Sequence, residues 1–134
     1  FPESYARLEA HSHAPTSLSW GYDNRTVAVR IPNSDAKARR MEIRPASAEA
    51  NPFLFLLVIL AAATEGMGLQ LEPPAPIEGD SYKQALPQLP KHFDEALNRF
   101  ETSERLARYL PQLLFDMFLA SKKQDGRKAA HRKA

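Results

Sequence analysis

The chain has 134 residues, 43% of them hydrophobic and 25% charged, which is the make-up of one folded domain of ordinary size and excludes disorder throughout. Its formal net charge is only +2, yet six Lys/Arg stand against Asp125 from residue 121 onward, so everything before that stretch is net acidic. There is no cysteine, which excludes a disulfide framework and a thiolate zinc site and fits a reducing, cytoplasmic setting.

The longest apolar run, residues 53–63, falls short of the about 20 residues that cross a bilayer, so no membrane partner is expected. The opening residues do not read as a signal peptide. No internal repeat is visible. Residues 26–31 alternate, with Val27, Val29 and Ile31 on one face and Thr26, Ala28 and Arg30 on the other, as in a half-buried strand. Pro32 ends it. After a polar loop, residues 39–44 alternate again, and the two segments together predict an antiparallel hairpin.

Asn51 is a good N-cap and Pro52 a good first helical residue for the apolar segment that follows, with Gly66 and Gly68 expected to stop the helix. A helix apolar on every side has to be enclosed on every side. One hairpin and a few amphipathic helices offer little to enclose it, so the chain reads as a piece of a larger protein or a buried part of an assembly. Residues 72–90 hold five prolines and are expected to run as an ordered surface loop. Phe93, Ala96, Leu97 and Phe100 recur at helical spacing and predict an amphipathic helix beginning near Pro90. A last helix or pair of helices follows, with Ser103 as cap, Pro111 as break, Gly126 as end, and Leu113, Leu114, Met117, Phe118 and Ala120 as its buried face. The basic, Ala-rich end, residues 125–134, reads as a frayed and solvated tail.

The charged positions of the second strand raise the functional question. Arg40, Glu42 and Arg44 share one strand face at a spacing of about 6.7 Å, while Met41 and Ile43 point the other way. Arg30 joins that face if the strands pair. One reading is a solvated ladder of ion pairs, each worth little. The other is a site for polyphosphate and a divalent metal: guanidinium forks match phosphate oxygens, and a carboxylate is the hard ligand that Mg²⁺ or Mn²⁺ accepts. No glycine-rich phosphate loop is present, so a nucleotide would be held by side chains on a sheet.

The order of the motifs favours the second reading. "NRTVAVRIP", "KARRMEIR" and "ANPFL", preceded by "ESYARL" and "APTSLSWGYDNR" and followed by "EPPAPIEGDSY" and "LPKHFDEALNRFETS", resemble the C-terminal part of the catalytic domain of the glutamine synthetase family. The resemblance runs from Glu3 to about Gln124 and implies an α+β fragment, a few antiparallel strands followed by a mainly helical half. It further implies a ligase that uses ATP and Mg²⁺ or Mn²⁺ to phosphorylate the γ-carboxylate of L-glutamate and passes the acyl group to ammonia or an amine, in a homo-oligomeric ring. By the same resemblance Arg25 faces the glutamate and the moving phosphoryl group, Arg7 and Arg44 line the glutamate site, Arg30, Lys37 and Arg40 contact ATP, and Glu42 ligates metal. Asn51 and Pro52 match a structural turn.

Two departures from the family pattern matter. Glutamine synthetases proper carry a glutamate directly before the Ala-Pro pair, where this chain has His13. A neutral imidazole can take a proton near pH 7 but does not attract ammonium as a carboxylate does. That leans toward members that use a larger amine, such as a polyamine, with His13 either a base or a spectator. His11, His92 and His131 carry no motif. The family's N-terminal β-grasp domain and most of its metal-binding carboxylates also have no counterpart among these residues, so the chain alone is expected to be inactive. The rival from another class is a non-catalytic helical module whose arginines bind a polyanion such as nucleic acid.

Overall fold

The computed structural model describes residues 1–132 and falls into two compact units. One unit, Ala6–Ser47 with Pro73–Lys91, carries a three-stranded sheet. The other, Phe1–Tyr5 with Ala48–Glu72 and the segment from His92 onward, is helical. A short 3₁₀ helix, Pro2–Arg7, precedes the first strand.

In the sheet unit, β1 (Trp20–Tyr22), β2 (Val29–Ile31) and β3 (Glu42–Ile43) lie in that order. The expected hairpin is present as the antiparallel pair β2–β3, with Val29 opposite Ile43 and Arg30 opposite Glu42. Its strands are shorter than the alternation implied, and Thr26, ahead of β2, bonds to Ser81. β1, absent from the sequence reading, pairs with β2 in parallel, Trp20 opposite Val29, so the sheet is mixed and not wholly antiparallel. A left-handed Asp23 (φ 45°) begins the connection between β1 and β2.

The proline-rich segment runs beside β1 as an ordered loop, as expected. Ile77 N–H donates to the Trp20 carbonyl at 2.8 Å, and Leu18 N–H to Pro87 at 2.7 Å. A prolyl residue lacks the donor but keeps the acceptor, so such a segment can still accept from an edge. Gly21 permits the approach, since a Cβ there would lie 2.6 Å from the Ile77 carbonyl oxygen. Val27, Ala28, Ala14, Pro15, Ser17 and Ser81 form the buried centre of this unit.

The helical unit holds α1 (Pro52–Gly68), α2 (Phe93–Glu101), α3 (Glu104–Tyr109) and α4 (Gln112–His131). The Asn51 side chain accepts from Phe53 N–H at 3.0 Å and Leu54 N–H at 3.2 Å, the cap the sequence calls for. The stop differs: both glycines lie inside α1, and the left-handed residue is Gln70 (φ 51°). Leu71 N–H bonds to Gly66 and Gln70 N–H to Met67, a Schellman closure. No residue of α1 is buried; Phe53 is 82% exposed and Leu60 63%. An apolar helix so placed loses the burial that its composition demands.

Ser103 caps α3 through Leu106 N–H, and Pro111 separates α3 from α4, both as expected. Phe100 of α2 stacks on Phe115 of α4 at 4.7 Å and meets Phe118 at 5.1 Å. The face of α4 that packs is therefore the one of Phe115 and Phe118, while Leu113, Met117 and Ala120 are exposed, contrary to the sequence expectation. Gly126 does not end α4. It lets the helix close on α2, since a Cβ would meet Phe93 Cε1 at 3.2 Å. The basic end continues α4 to His131, with Lys122 bonded to Asp125 at 2.6 Å and over the Phe1 ring at 4.1 Å, so it is not frayed there. Lys133 and Ala134 lie outside the described residues.

Candidate active site

The residues singled out in the sequence all belong to the sheet unit. Because Arg30 and Glu42 are register partners, their side chains leave the same face. Glu42 Oε2 accepts from Arg30 Nη1 at 3.1 Å, and its Oε1 lies 3.2 Å from Arg40 Nη2. Arg30 Nη2 also donates to Asp23 Oδ1. The result is a ladder of alternating charge, Asp23, Arg30, Glu42, Arg40, running from a half-buried guanidinium (Arg30, 15% exposed) to an exposed one (Arg40, 55%). The hydrogen bond to Asp23, followed by those of Glu42, holds the Arg30 guanidinium in its charged form. At Glu42 the partial loss of solvent opposes ionisation, but Arg30 and Arg40 together outweigh it and hold the carboxyl below its usual range. Arg30 Nε–H is buried and has no acceptor among the described residues.

Arg44 faces a different set of groups. Its Nη1 donates to the carbonyls of Arg25 and of Val27, the latter at 3.1 Å, and its Nη2 to the His13 carbonyl at 2.6 Å. Burial, reinforced by the positive charges of Arg30 and Arg25, lowers its pKa, though an arginine stays protonated regardless. Arg7 in turn donates to the carbonyls of Pro45 at 2.8 Å and Arg44 at 3.2 Å. Arg7 and Arg44, two of the three arginines assigned to glutamate, thus spend several donors on backbone that carries other candidate residues.

Arg25 itself is exposed and stands between two anchored neighbours. Asn24 Nδ2 donates to the carbonyls of Ile77 at 3.1 Å and Gly79 at 2.8 Å, while its Oδ1 accepts from Thr26 N–H and Thr26 Oγ1. His13 is exposed in a left-handed conformation (φ 59°). The adjoining Ala14 carbonyl accepts from the Tyr82 hydroxyl at 2.8 Å. Lys37 is exposed in a turn made by Asp35, whose Oδ1 accepts from the N–H groups of Lys37 at 3.0 Å and Ala38 at 2.8 Å.

Arg30, Arg40 and Glu42 are therefore joined directly, and Arg7, Arg44, Arg25 and His13 through backbone carbonyls. Sequence reasoning missed Asp23, Asn24, Thr26, Ser81 and Tyr82, all of which fix this arrangement. Their signal was local: an Asp-Asn pair before Arg25, and an Asp-Ser-Tyr run after a left-handed Gly79. Among the described residues no group of three or more His, Asp or Glu could hold a metal ion. Glu42, with both oxygens engaged, does not make a divalent-cation site by itself. Also among the described residues, no helix is long and apolar enough to cross a membrane.

Residues 1–133 match the family model described as the glutamine synthetase catalytic domain. Among curated proteins, gamma-glutamylputrescine synthetase PuuA of Escherichia coli (strain K12) is 35% identical over 122 residues, 91% of this chain and 26% of that protein. The glutamine synthetase of Thermotoga maritima is 31% identical over 130 residues, 91% of this chain and 30% of that protein. Among solved structures, a GmaS/ADP complex superposes with a TM-score of 0.71 at 30% identity, covering 87% of this chain and 27% of that one. GmaS without ligand gives 0.70 at 28% identity, covering 95% of this chain and 32% of that one. The chain spans roughly a third or less of each of these relatives, and by its sequence it belongs to the glutamine synthetase catalytic-domain family.

Proposed function

We propose that this chain is the C-terminal part of the catalytic domain of an ATP-dependent ligase that joins L-glutamate, through its γ-carboxylate, to a larger amine. The observation that carries the reading is the Asp23, Arg30, Glu42, Arg40 ladder: guanidinium groups held in place on a sheet, with Arg40 at its solvent-exposed end. In this reading Arg30, Lys37 and Arg40 receive the nucleotide phosphates, which oriented guanidinium forks bind by two-point bonds. The buried, unpaired Arg30 Nε–H supports the assignment, since an acceptor brought by a ligand would complete it. A neighbour of similar fold was solved as an ADP complex.

The chemistry runs in two steps. A γ-carboxylate oxygen of glutamate attacks the terminal phosphorus of ATP, giving an acyl phosphate and ADP; Arg25 faces the moving phosphoryl group and offsets its charge. The amine nitrogen then attacks the acyl carbon, phosphate leaves, and the nitrogen gives up a proton to His13. Arg7 and Arg44 line the glutamate side. Mg²⁺ or Mn²⁺ when bound would neutralise phosphate oxygens, with Glu42 as one ligand, but the described residues bring no complete site and the remaining carboxylates belong to other parts of the enzyme. A cytoplasmic, ring-shaped homo-oligomer is part of the same proposal.

A γ-glutamyl-amine product is favoured over glutamine by His13 before Ala14 and Pro15, where an imidazole replaces the carboxylate that would draw in ammonium. The similarity to gamma-glutamylputrescine synthetase points the same way. The test is ADP release by the intact enzyme. Release that needs both glutamate and an alkylamine supports the reading; release indifferent to glutamate ends it, and ammonia outcompeting every amine reverses the choice of acceptor.

A further inference from the structure

The short 3₁₀ turn Ser81–Lys83, set in the proline-rich segment, touches both of the loops to which the ligase reading assigns the chemistry. Ser81 is 2% exposed, and its N–H and its hydroxyl are both spent on Thr26, while its carbonyl accepts from Gln84 N–H within the turn. Ser81 N–H donates to Thr26 Oγ1 at 3.0 Å, and Ser81 Oγ donates to the Thr26 carbonyl at 2.8 Å. Thr26 directly follows Arg25, and Asn24, directly before it, is tied to Ile77 and Gly79 on the same loop. The next residue of the turn, Tyr82, sends its hydroxyl to the Ala14 carbonyl, directly after His13. Asp80 caps the turn by accepting from Tyr82 N–H at 3.0 Å.

We propose that Ser81 and Tyr82 are positioning residues: one turn sets the separation between Arg25 and His13, and so between the phosphoryl group and the amine. The inference rests on the ligase reading. Neither residue has to touch substrate. Two bonds from one serine, N–H to the Thr26 hydroxyl and hydroxyl to the Thr26 carbonyl, fix Thr26, and paired bonds of this kind leave little freedom in the residue between two anchored neighbours. A polypeptide that recruits two loops through adjacent residues of one turn couples them, because a shift of the turn moves both. Tyr82 also lies 5.4 Å, ring to ring, from His11, which adds a second contact to the loop of His13.

Three substitutions in the intact enzyme test the idea. Thr26→Val removes the acceptor for Ser81 N–H with little change of shape, Thr26→Ser keeps it, and Tyr82→Phe removes only the hydroxyl that holds Ala14. Loss of a neutral hydrogen bond translates into about a three- to tenfold effect. The expected results are a glutamate KM raised by that factor in Thr26→Val and restored in Thr26→Ser, and an amine KM raised in Tyr82→Phe with ATP KM unchanged. Amide hydrogen exchange is expected to quicken at Ser81 in the first variant and around residues 12–16 in the last. Wild-type KM values in Tyr82→Phe overturn the proposal, as does a fall in kcat alone, which marks only a smaller folded fraction. If Thr26→Val fails to fold, Tyr82→Phe decides. An unsubstituted enzyme without glutamate-dependent ADP release sinks the ligase reading instead, and exchange then judges the turn: unchanged rates in Tyr82→Phe overturn it.

Discussion

Arg30 and Glu42 face each other in register across β2 and β3 and are bonded at 3.1 Å, and the same Glu42 carboxylate lies 3.2 Å from Arg40. A carboxylate shared by two guanidinium groups is both a strut of the sheet and an electrostatic reference for whatever approaches Arg40. Its protonation therefore acts on stability and, in the ligase reading, on nucleotide binding as well.

The stability effect has a definite sign. The folded pKa of Glu42 lies below its ordinary 4.5, because the two arginines outweigh the loss of solvent. The group thus stabilises the fold fully above that ordinary value, and the contribution is lost as pH falls through the lowered folded pKa. Urea midpoints measured from neutral pH down through the carboxylate range are expected to fall in the unsubstituted protein and to fall less in Glu42→Gln. Parallel curves for the two proteins would remove the ion pair from the account.

Arg44→Lys tests the bonds to backbone. An ammonium cannot reproduce a fork that serves the carbonyls of His13 and Val27 at 2.6 and 3.1 Å. Of these Val27 is fully buried, and a buried carbonyl left without a donor costs about 1–3 kcal/mol. The expected outcome is a lowered thermal midpoint with a loss of activity larger than the loss of folded protein, because the loops of His13 and Arg25 loosen together. Unaltered stability would mean that Arg44 is free to serve substrate alone.

Gly21→Ala is expected to be harmful for a purely steric reason. The new Cβ would lie 2.6 Å from the Ile77 carbonyl oxygen, which is backbone and cannot swing away. Parting β1 from the proline-rich segment breaks the Ile77 to Trp20 bond and costs about 1–3 kcal/mol by analogy with overpacking. Chemical denaturation of the two proteins measures it.

How much of this was legible beforehand depends on the range of the interaction. The Asn51 cap, the Ser103 cap and the break at Pro111 are written in residues a few positions apart, and the β2–β3 pairing in two alternating runs, residues 26–31 and 39–44; the sequence reading and the structure agree on them. β1 was not legible, because Trp20, Gly21 and Tyr22 are too few to show an alternation and their partner lies partly in a proline-rich loop. Gly126 was misread as an end because its reason, the ring of Phe93, is 33 positions away. At the site, residue type and order pointed to the arginines and Glu42. What no local pattern disclosed is that Arg44 and Arg7 are bonded to carbonyls, or that Ser81 and Tyr82 reach Thr26 and Ala14 over more than 50 residues.

Gly126→Leu separates the two roles of that glycine. As a helix interior residue, glycine is about 1 kcal/mol worse than alanine, so removing it should help if nothing stands nearby. Phe93 Cε1 at 3.2 Å from the first added carbon leaves no room for a branched side chain. Gly126→Leu is expected to destabilise the helical unit and to disturb the near-ultraviolet signal of its aromatic cluster, whereas a stabilised protein would show that α2 and α4 do not close here.

The apolar helix α1 yields the most decisive test of how the chain is used. Phe53, Leu56, Leu60 and Met67 are exposed within this chain, and the chain spans 26–32% of the length of the relatives it matches. If further protein covers α1 in the intact enzyme, Leu60→Glu buries an unpaired carboxylate, a change that costs several kcal/mol and is met by unfolding or by a strongly raised pKa. If α1 stands in water, the same change stays within about 0.5 kcal/mol and improves solubility. Thermal unfolding of the intact enzyme carrying Leu60→Glu, at pH values either side of the carboxylate range, is expected to show a large loss of stability that shrinks on acidification: the raised folded pKa makes neutral pH the unfavourable side. A pH-independent, near-neutral result would leave α1 uncovered, and the composition of that helix would then have no packing explanation.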